Sequence, residues 1–292
     1  MHATVKAFGK INIFLDCVGK REDGYHEVRM IMQSVRLHDE IELRKAKENA
    51  VFSDSLYVPN NRNNLAMRAA LLLQERCEMP PVSIRIKKNI PVSAGMAGGS
   101  SDAAAVLVGC NKLFDLGLEE AELMQLGAEI GSDVPFCVRG GTAIAEGRGE
   151  RIRPLPDLPS MHAVLVRADY GVSTAAVYQA LLPTDLHPQK ALFAHLLEAI
   201  RKGDTAYVEA HLYNALEAPS FRLDPRTEAR KQFLLEHGVE HVLMSGSGPT
   251  LFGLYATEHA AWENFKKIKG LFPNVYLTST CSSDLIKSGI IY

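Results

Sequence analysis

The 292-residue sequence is poor in the features that mark secreted, membrane-spanning and metal-cluster proteins. Its five cysteines are odd in number and widely scattered, without a Cys-x-x-Cys pair. Disulfide scaffolds and zinc clusters are therefore disfavoured, and a reducing cytoplasm is the expected compartment. The first residues lack a basic segment followed by an apolar run, which argues against a signal peptide. The sequence contains no run of about 18 apolar residues, which is the length needed to cross a bilayer.

Net charge is also low. Lys and Arg number 32 against 34 Asp and Glu, a formal net charge of -2. This balance gives no reason to expect nucleic acid or an anionic membrane as a partner. A hydrophobic content of 47% with 23% charged residues is typical of a globular protein, and this length favours two domains. Three prolines within residues 154–159 predict the boundary, which divides the chain into 1–158 and 159–292.

Two common phosphate-binding motifs are missing as well. There is no Gly-x-x-x-x-Gly-Lys-Ser/Thr, and the spacing of Gly95, Gly98 and Gly99 does not fit Gly-x-Gly-x-x-Gly. What is present is a glycine- and serine-rich segment, residues 91–102, between an alternating strand-like segment and an alanine-rich helix former. Such a loop lets the backbone approach a ligand and delivers it to the positive end of a helix. The pattern indicates a phosphate loop; a flexible surface loop is the alternative.

The first strand-like segment, residues 3–18, carries polar side chains among apolar ones. A period of two assigns its central residues to opposite faces: Lys10, Asn12 and Phe14 to one, Ile11, Ile13 and Leu15 to the other. Lys10 and Asn12 either face solvent at an edge or line a site. Beyond residue 159, strand and helix patterns predict an α+β second half, with a helix from Asp204 to about Leu216 and a hairpin around residues 245–250.

Taken together, residues 10–15, 91–102 and 245–250 resemble the three signature regions of the GHMP small-molecule kinases. The resemblance covers nearly the whole chain. It implies an α+β two-domain GHMP kinase fold, with an N-terminal ribosomal protein S5 domain 2-like α/β domain and a C-terminal ferredoxin-like α+β domain. One departure is that Ala97 stands where many relatives have glycine, so we expect its backbone to adopt a conformation that tolerates a Cβ.

The resemblance implies an ATP- and Mg²⁺-dependent kinase of small molecules, acting as a monomer or homodimer. Residues 23–26, Asp-Gly-Tyr-His, and residues 131–136 resemble the members that phosphorylate the 2-hydroxyl of a cytidylated methylerythritol in non-mevalonate isoprenoid synthesis. A GHMP kinase for another alcohol, such as homoserine or mevalonate, is the alternative. A nucleotide-binding module without catalytic activity is the alternative from another class of function.

The same resemblance assigns the site residues. Asp133 is expected to take the proton from the acceptor hydroxyl, with Lys10 beside it to keep the carboxylate ionised and to polarise the same oxygen. The expected ATP contacts are Pro91, Val92, Ser93, Ala94, Gly95, Met96, Ala97, Gly98, Gly99, Ser100 and Ser101, with Asn64, Leu65 and Lys88. The expected contacts to the second substrate are Asn12, Tyr25, His26 and Tyr178.

Several of these residues also have plainer interpretations. Asp133 could be a turn residue, Asn64 a helix N-cap and Tyr178 an interior helix residue. Residues 245–250 could form a hairpin turn without touching a ligand. The hydroxyls of Ser100 and Ser101 are available to phosphate or Mg²⁺, although no side chain is assigned as a metal ligand. Asp102 is expected to cap its own helix.

Overall fold

A computed structural model describes residues 2–291 as two sheets with flanking helices. The strands are β1 (His2–Lys20), β2 (His26–Lys45), β3 (Ala50–Ser53), β4 (Val82–Lys87), β5 (Thr142–Gly147), β6 (Arg151–Pro154), β7 (His162–Val166), β8 (Tyr213–Asn214), β9 (Val242–Met244), β10 (Leu251–Tyr255), β11 (Val275–Ser279) and β12 (Ile290–Ile291). The helices are α1 (Leu65–Cys77), α2 (Gly98–Leu113), α3 (Glu120–Ile130), α4 (Val134–Arg139), α5 (Thr174–Gln179), α6 (Lys190–Lys202), α7 (Thr205–Ala210), α8 (Glu217–Leu223), α9 (Pro225–Glu236), α10 (Glu258–Ile268) and α11 (Ser283–Lys287).

The first sheet has eight strands, with β12-β1-β2-β4-β3 as its main path. β5 adds to β2 and carries β6, while β8 adds to β1. The long strand β2 pairs with β5 through its first half and with β4 through its second. Helices α1 to α4 bury one face of this sheet, where Val5, Ile41 and Ile84 pack against Leu73 and Leu107. The predicted alternation of β4 is confirmed, because its apolar residues are buried and Arg85 is exposed.

The second sheet has four antiparallel strands in the order β11-β7-β10-β9. The predicted hairpin at residues 245–250 is confirmed, since these residues join β9 to β10. The predicted helix from Asp204 to Leu216 is wrong in its second half. Helix α7 ends at Ala210, and β8 then pairs in parallel with β1. The free edge of β1 supplies hydrogen-bond partners that the local sequence pattern does not reveal.

The two sheets share their hydrophobic cores. Ile11 and Ile31 of the first sheet pack in one cluster with Leu165 and Phe252 of the second. A second shared cluster lies further along β1 and β2. β8 and β12, which follow residue 159, both pair with β1. A division of the chain at residue 158 stays a prediction.

Crossing a lipid bilayer requires a helix of about 20 predominantly apolar residues. Within residues 2–291, no helix is both long enough and apolar enough to cross one.

Candidate active site

A cavity of about 750 Å³ lies where β1, the glycine-rich loop, α4, α5 and the β9–β10 hairpin meet. Most of the residues predicted for the site line its wall. They are Lys10, Tyr25, His26, Leu65, Ser93, Ala94, Gly95, Ala97, Gly98, Gly99, Ser100, Asp133 and Tyr178. The structure therefore brings together residues that are separated by up to 168 positions (from Lys10 to Tyr178) in the chain.

Irregularities in β1 set the direction of the side chains next to the cavity. The pairing of β1 with β2 shifts register between Phe8 and Lys10 and again between Asn12 and Phe14. The second shift carries Phe14 into the core cluster that contains Ile11 and Ile13, while Leu15 lines the cavity with Lys10. The predicted sharing of one face by Lys10, Asn12 and Phe14 is therefore wrong at Phe14. β-Bulges commonly redirect side chains next to active sites, and a period-two pattern cannot show them.

Lys10 and Asp133 face each other across this part of the cavity. The Lys10 Nζ lies 3.7 Å from the Asp133 Oδ2 and donates to the Asn12 Oδ1 at 2.8 Å. Lys10 is buried, whereas the Asp133 side chain is 30% exposed and reaches the cavity. Asp133 occupies the N-cap position of α4 but makes no capping hydrogen bond with its side chain. A capping function therefore does not account for this carboxylate, which lines the cavity beside Lys10.

The glycine-rich loop ends at the first turn of α2. Its backbone has positive φ at Ser93 (54°), Gly95 (70°) and Ala97 (58°). The expected conformation of Ala97 is therefore wrong, because left-handed backbone disfavours a Cβ. Ala97 precedes α2, whose first residues Gly98 and Gly99 line the cavity with Ser100. The first N–H groups of a helix have no partner within it, so this wall presents backbone donors to an anion.

The β9–β10 hairpin closes the cavity against this loop. The Ser245 Oγ donates to the Gly95 carbonyl at 3.0 Å, and the Asn214 Nδ2 donates to the Gly246 carbonyl at 2.8 Å. The hydroxyls of Ser247 and Thr174 lie 2.8 Å apart and share a hydrogen bond. Gly246 and Ser247 line the cavity as well. The hairpin is thus a turn and also part of the wall.

Aromatic side chains form another part of the cavity wall. The rings of His26 and Tyr178 are stacked with centroids 5.5 Å apart, whereas Tyr25 is 55% exposed. Burial raises the pKa of Tyr178, and burial together with the charge of Lys20 lowers the pKa of His26. Both rings are therefore favoured as neutral groups, which suits stacking and hydrogen bonding to a neutral base.

Sequence reasoning missed Arg148, which also belongs to this part of the wall. Its guanidinium lies 5.1 Å from the centroid of the Tyr25 ring, a cation–π geometry. Arg148 belongs to the turn between β5 and β6, between Gly147 and Gly149, which both have positive φ. The only signal in the sequence is this Gly-Arg-Gly triplet, which is typical of any tight turn.

Some predicted site residues lie away from the cavity wall. They are Asn12, Asn64, Lys88, Pro91, Val92, Met96 and Ser101. Asn64 caps α1 through its Oδ1, which accepts from the Ala66 amide at 2.9 Å, so its plainer interpretation is confirmed. The buried Ser101 hydroxyl donates to the Phe8 carbonyl at 2.7 Å and is turned away from the cavity.

Lys88 and Asp102 pair with each other in the interior. The Lys88 Nζ donates to Asp102 at 2.9 Å and also contacts Asp39. The expectation that Asp102 caps its own helix is wrong, because Asp102 is the fifth residue of α2 and its carboxylate faces Lys88. Only the tertiary structure brings positions 39, 88 and 102 into contact.

Known proteins resemble this chain along nearly its whole length. The family model for the N-terminal domain of GHMP kinases matches residues 64–141, and the C-terminal model matches residues 196–268. A protein of Moorella thermoacetica named 4-diphosphocytidyl-2-C-methyl-D-erythritol kinase is 45% identical, over 95% of this chain and 98% of its own. The chain belongs to the GHMP kinase family. The two-domain GHMP kinase fold expected from the signature segments is thereby confirmed.

Solved structures also resemble this chain along nearly its whole length. A crystal structure of 4-(cytidine 5'-diphospho)-2C-methyl-D-erythritol kinase has a TM-score of 0.79 at 33% identity, covering 95% of this chain and 98% of that chain. Homoserine kinase from Cytophaga hutchinsonii has a TM-score of 0.73 at 18% identity, with coverage of 96% and 95%. The second likeness shows the GHMP kinase fold alone.

Proposed function

We propose that this GHMP kinase transfers the γ-phosphoryl group of ATP to the 2-hydroxyl of 4-diphosphocytidyl-2-C-methyl-D-erythritol, a step of non-mevalonate isoprenoid synthesis. The observation that carries the proposal is the set of groups that one cavity brings together. Its wall combines the Lys10–Asp133 pair with the amide-rich start of α2 and with the rings of Tyr25, His26 and Tyr178. The relative from Moorella thermoacetica, with its coverage of 95% of this chain, supports the same acceptor.

In the proposed mechanism each part of the wall has one task. The first amides of α2 and the glycine-rich loop hold the triphosphate, and the Asp133 carboxylate accepts the proton of the 2-hydroxyl as the oxygen attacks phosphorus. The Lys10 ammonium, 3.7 Å from that carboxylate, stabilises negative charge on the reacting oxygen. Tyr25 and Tyr178 hold the cytosine ring, which fixes the distance from the base to the reacting hydroxyl.

ATP as co-substrate implies a divalent cation, and we propose Mg²⁺. Mg²⁺ prefers oxygen ligands and commonly binds through nucleotide phosphates with few protein groups. Residues 2–291 contain no cluster of three or more His, Cys, Asp or Glu side chains that could hold a metal. The Ser100 hydroxyl, on the wall at the start of α2, is an oxygen donor of the required kind. When bound, the ion neutralises charge on the phosphates.

One assay decides between acceptors. ATP consumption is measured with the cytidylated methylerythritol, homoserine and mevalonate in parallel. We expect turnover with the first compound alone. Homoserine and mevalonate carry no nucleobase on which the rings of Tyr25 and Tyr178 could stack. Turnover with homoserine or mevalonate would contradict the proposed acceptor, and binding of ATP without any turnover would contradict a kinase function. A cytoplasmic location and a monomeric or dimeric state stay predictions.

A further inference from the structure

Three ionisable side chains are buried beneath the glycine-rich loop. Lys88 follows β4, Asp39 lies on β2 and Asp102 on α2, and their side chains are 6%, 0% and 3% exposed. The Lys88 Nζ contacts both carboxylates. Buried ion pairs contribute little net stability compared with apolar side chains of the same volume. Stability alone therefore does not account for three ionisable groups in this place.

These side chains connect the elements that shape the loop. The Asp39 Oδ1 accepts from the backbone amides of Asn89, at 2.6 Å, and Ile90, at 2.8 Å, the two residues before the loop. A Cβ added to Gly98 would lie 3.3 Å from the Lys88 Nζ and 3.1 Å from the Ile90 Cγ2. Lys88 and Ile90 therefore support the first residue of α2 directly.

We propose that Lys88, Asp39 and Asp102 are positioning residues for ATP, which hold the first turn of α2 so that its amides match the triphosphate. The proposal rests on the proposed kinase function. None of the three side chains lines the cavity, so they act through the backbone of residues 98–100. Lys88 thus serves ATP binding without touching the nucleotide.

The charges of the three groups are consistent with this arrangement. Burial raises the pKa of Asp102 well above that of an ordinary carboxyl group, and its Oδ1 has no hydrogen-bond partner. Burial alone lowers the pKa of Lys88, but the two carboxylates more than offset this and raise it. The three groups thus pair with one another, and none of them lines the cavity beside the first amides of α2.

The matched pair Asp102→Ala and Asp102→Asn tests the proposal with the smallest change. The first removes the contact between α2 and Lys88, and the second keeps a neutral polar group of the same size. We expect Asp102→Ala to raise the Kd for a non-hydrolysable ATP analogue, measured by calorimetric titration, by about 10-fold. Asp102→Asn should restore most of that affinity. The KM for the cytidylated acceptor should stay within about 2-fold in both variants.

A charge-balanced double variant, Asp39→Asn with Lys88→Met, provides the second measurement. It removes one acidic and one basic side chain together, so Asp39 and Lys88 are not left without each other. We expect circular dichroism typical of the wild type, and a Kd for the ATP analogue raised at least as much as in Asp102→Ala. An unchanged Kd in the folded variants, or a parallel rise of KM for both substrates, overturns the proposal. Failure of the proposed acceptor would appear separately, as absent turnover by the wild-type enzyme.

Discussion

Where the glycine-rich loop forms the cavity wall, the wall is mainly backbone, whereas another part of the wall consists of aromatic and charged side chains. Gly95, Ala97 and Gly98 present peptide groups in the first part, and the loop is hydrogen-bonded to the β9–β10 hairpin on one side. Tyr25, in the second part, is 55% exposed and stands on a turn. A backbone wall can bind any triphosphate of the right shape. We therefore expect discrimination between acceptors to come from the side-chain wall.

The largest expected effect lies at Asp133. Asp133→Asn keeps the shape of the side chain but removes the proton acceptor, and we expect kcat to fall by about 10²-fold or more. The KM values for ATP and for the acceptor should change little, because neither of these two parts of the wall is altered. Asp169→Asn, which removes the same charge from a side chain that is 78% exposed, should behave as the wild type.

A companion variant examines the partner of this carboxylate. Lys10→Met should lower kcat by a similar factor, since the ammonium is needed in the transition state. If Asp133→Asn kept near-wild-type turnover, Asp133 would be a turn residue without a catalytic role. If Lys10→Met changed only the KM for ATP, Lys10 would contribute to ATP binding and not to the chemical step.

The second effect tests the backbone wall. Gly95 has a φ of 70°, and a Cβ there would collide with the Ser245 carbonyl. We expect Gly95→Ala to weaken binding of an ATP analogue by at least about 10-fold, because left-handed backbone and the collision both displace the loop. Gly117→Ala is the matched control, since Gly117 has a φ of 71° and no atom within 4 Å of an added Cβ. If both substitutions weakened binding equally, the close contact between Gly95 and the Ser245 carbonyl would not explain the effect.

The third effect tests the side-chain wall. If Tyr25 stacks on cytosine, Tyr25→Ala should cost about 1–3 kcal/mol of binding free energy. That corresponds to a rise of about 5- to 150-fold in the KM for the cytidylated acceptor, where KM follows affinity. Tyr25→Phe keeps the ring face and should cost little. A Tyr25→Ala enzyme whose KM values for acceptor and ATP rise together would point to a misfolded turn.

The smallest effect refines the same part of the wall. Arg148 holds its guanidinium over Tyr25, and a partly exposed cation–π contact contributes about 0.5–1 kcal/mol. Arg148→Ala should therefore raise the KM for the acceptor by about 2- to 5-fold and leave that for ATP unchanged. Arg151→Ala, which removes an exposed arginine paired with Glu27 at 2.6 Å, is the control on the same hairpin. A larger effect of Arg151→Ala would contradict a specific contribution of Arg148.

Local patterns predicted the features that depend on local chemistry. The alternation of β4, the capping Asn64 and the order of strand, glycine loop and helix follow from propensity and spacing, and all appear in the structure. Tertiary packing decided the others. Ala97 is left-handed in a loop that β1 and the β9–β10 hairpin both contact, through the Lys10 amide and the Ser245 hydroxyl. The register shift before Phe14 belongs to the pairing of β1 with β2. The contact of Lys88 with Asp102 forms only in the completed fold. The residues next to either one in the sequence therefore do not predict this contact.

The position of β1 within its sheet has a consequence for the order in which this enzyme becomes competent during synthesis. Along one edge β1 pairs with β2, its neighbour in sequence, but along the other it pairs with β8 and β12. The amide of Lys6 also donates to the Gly289 carbonyl at 3.0 Å. The edge of β1 at Thr4 and Val5 therefore stays open until residues 290–291 have been synthesised and have docked. Such an open edge exposes a nascent chain to misassociation, which favours rapid docking of β12.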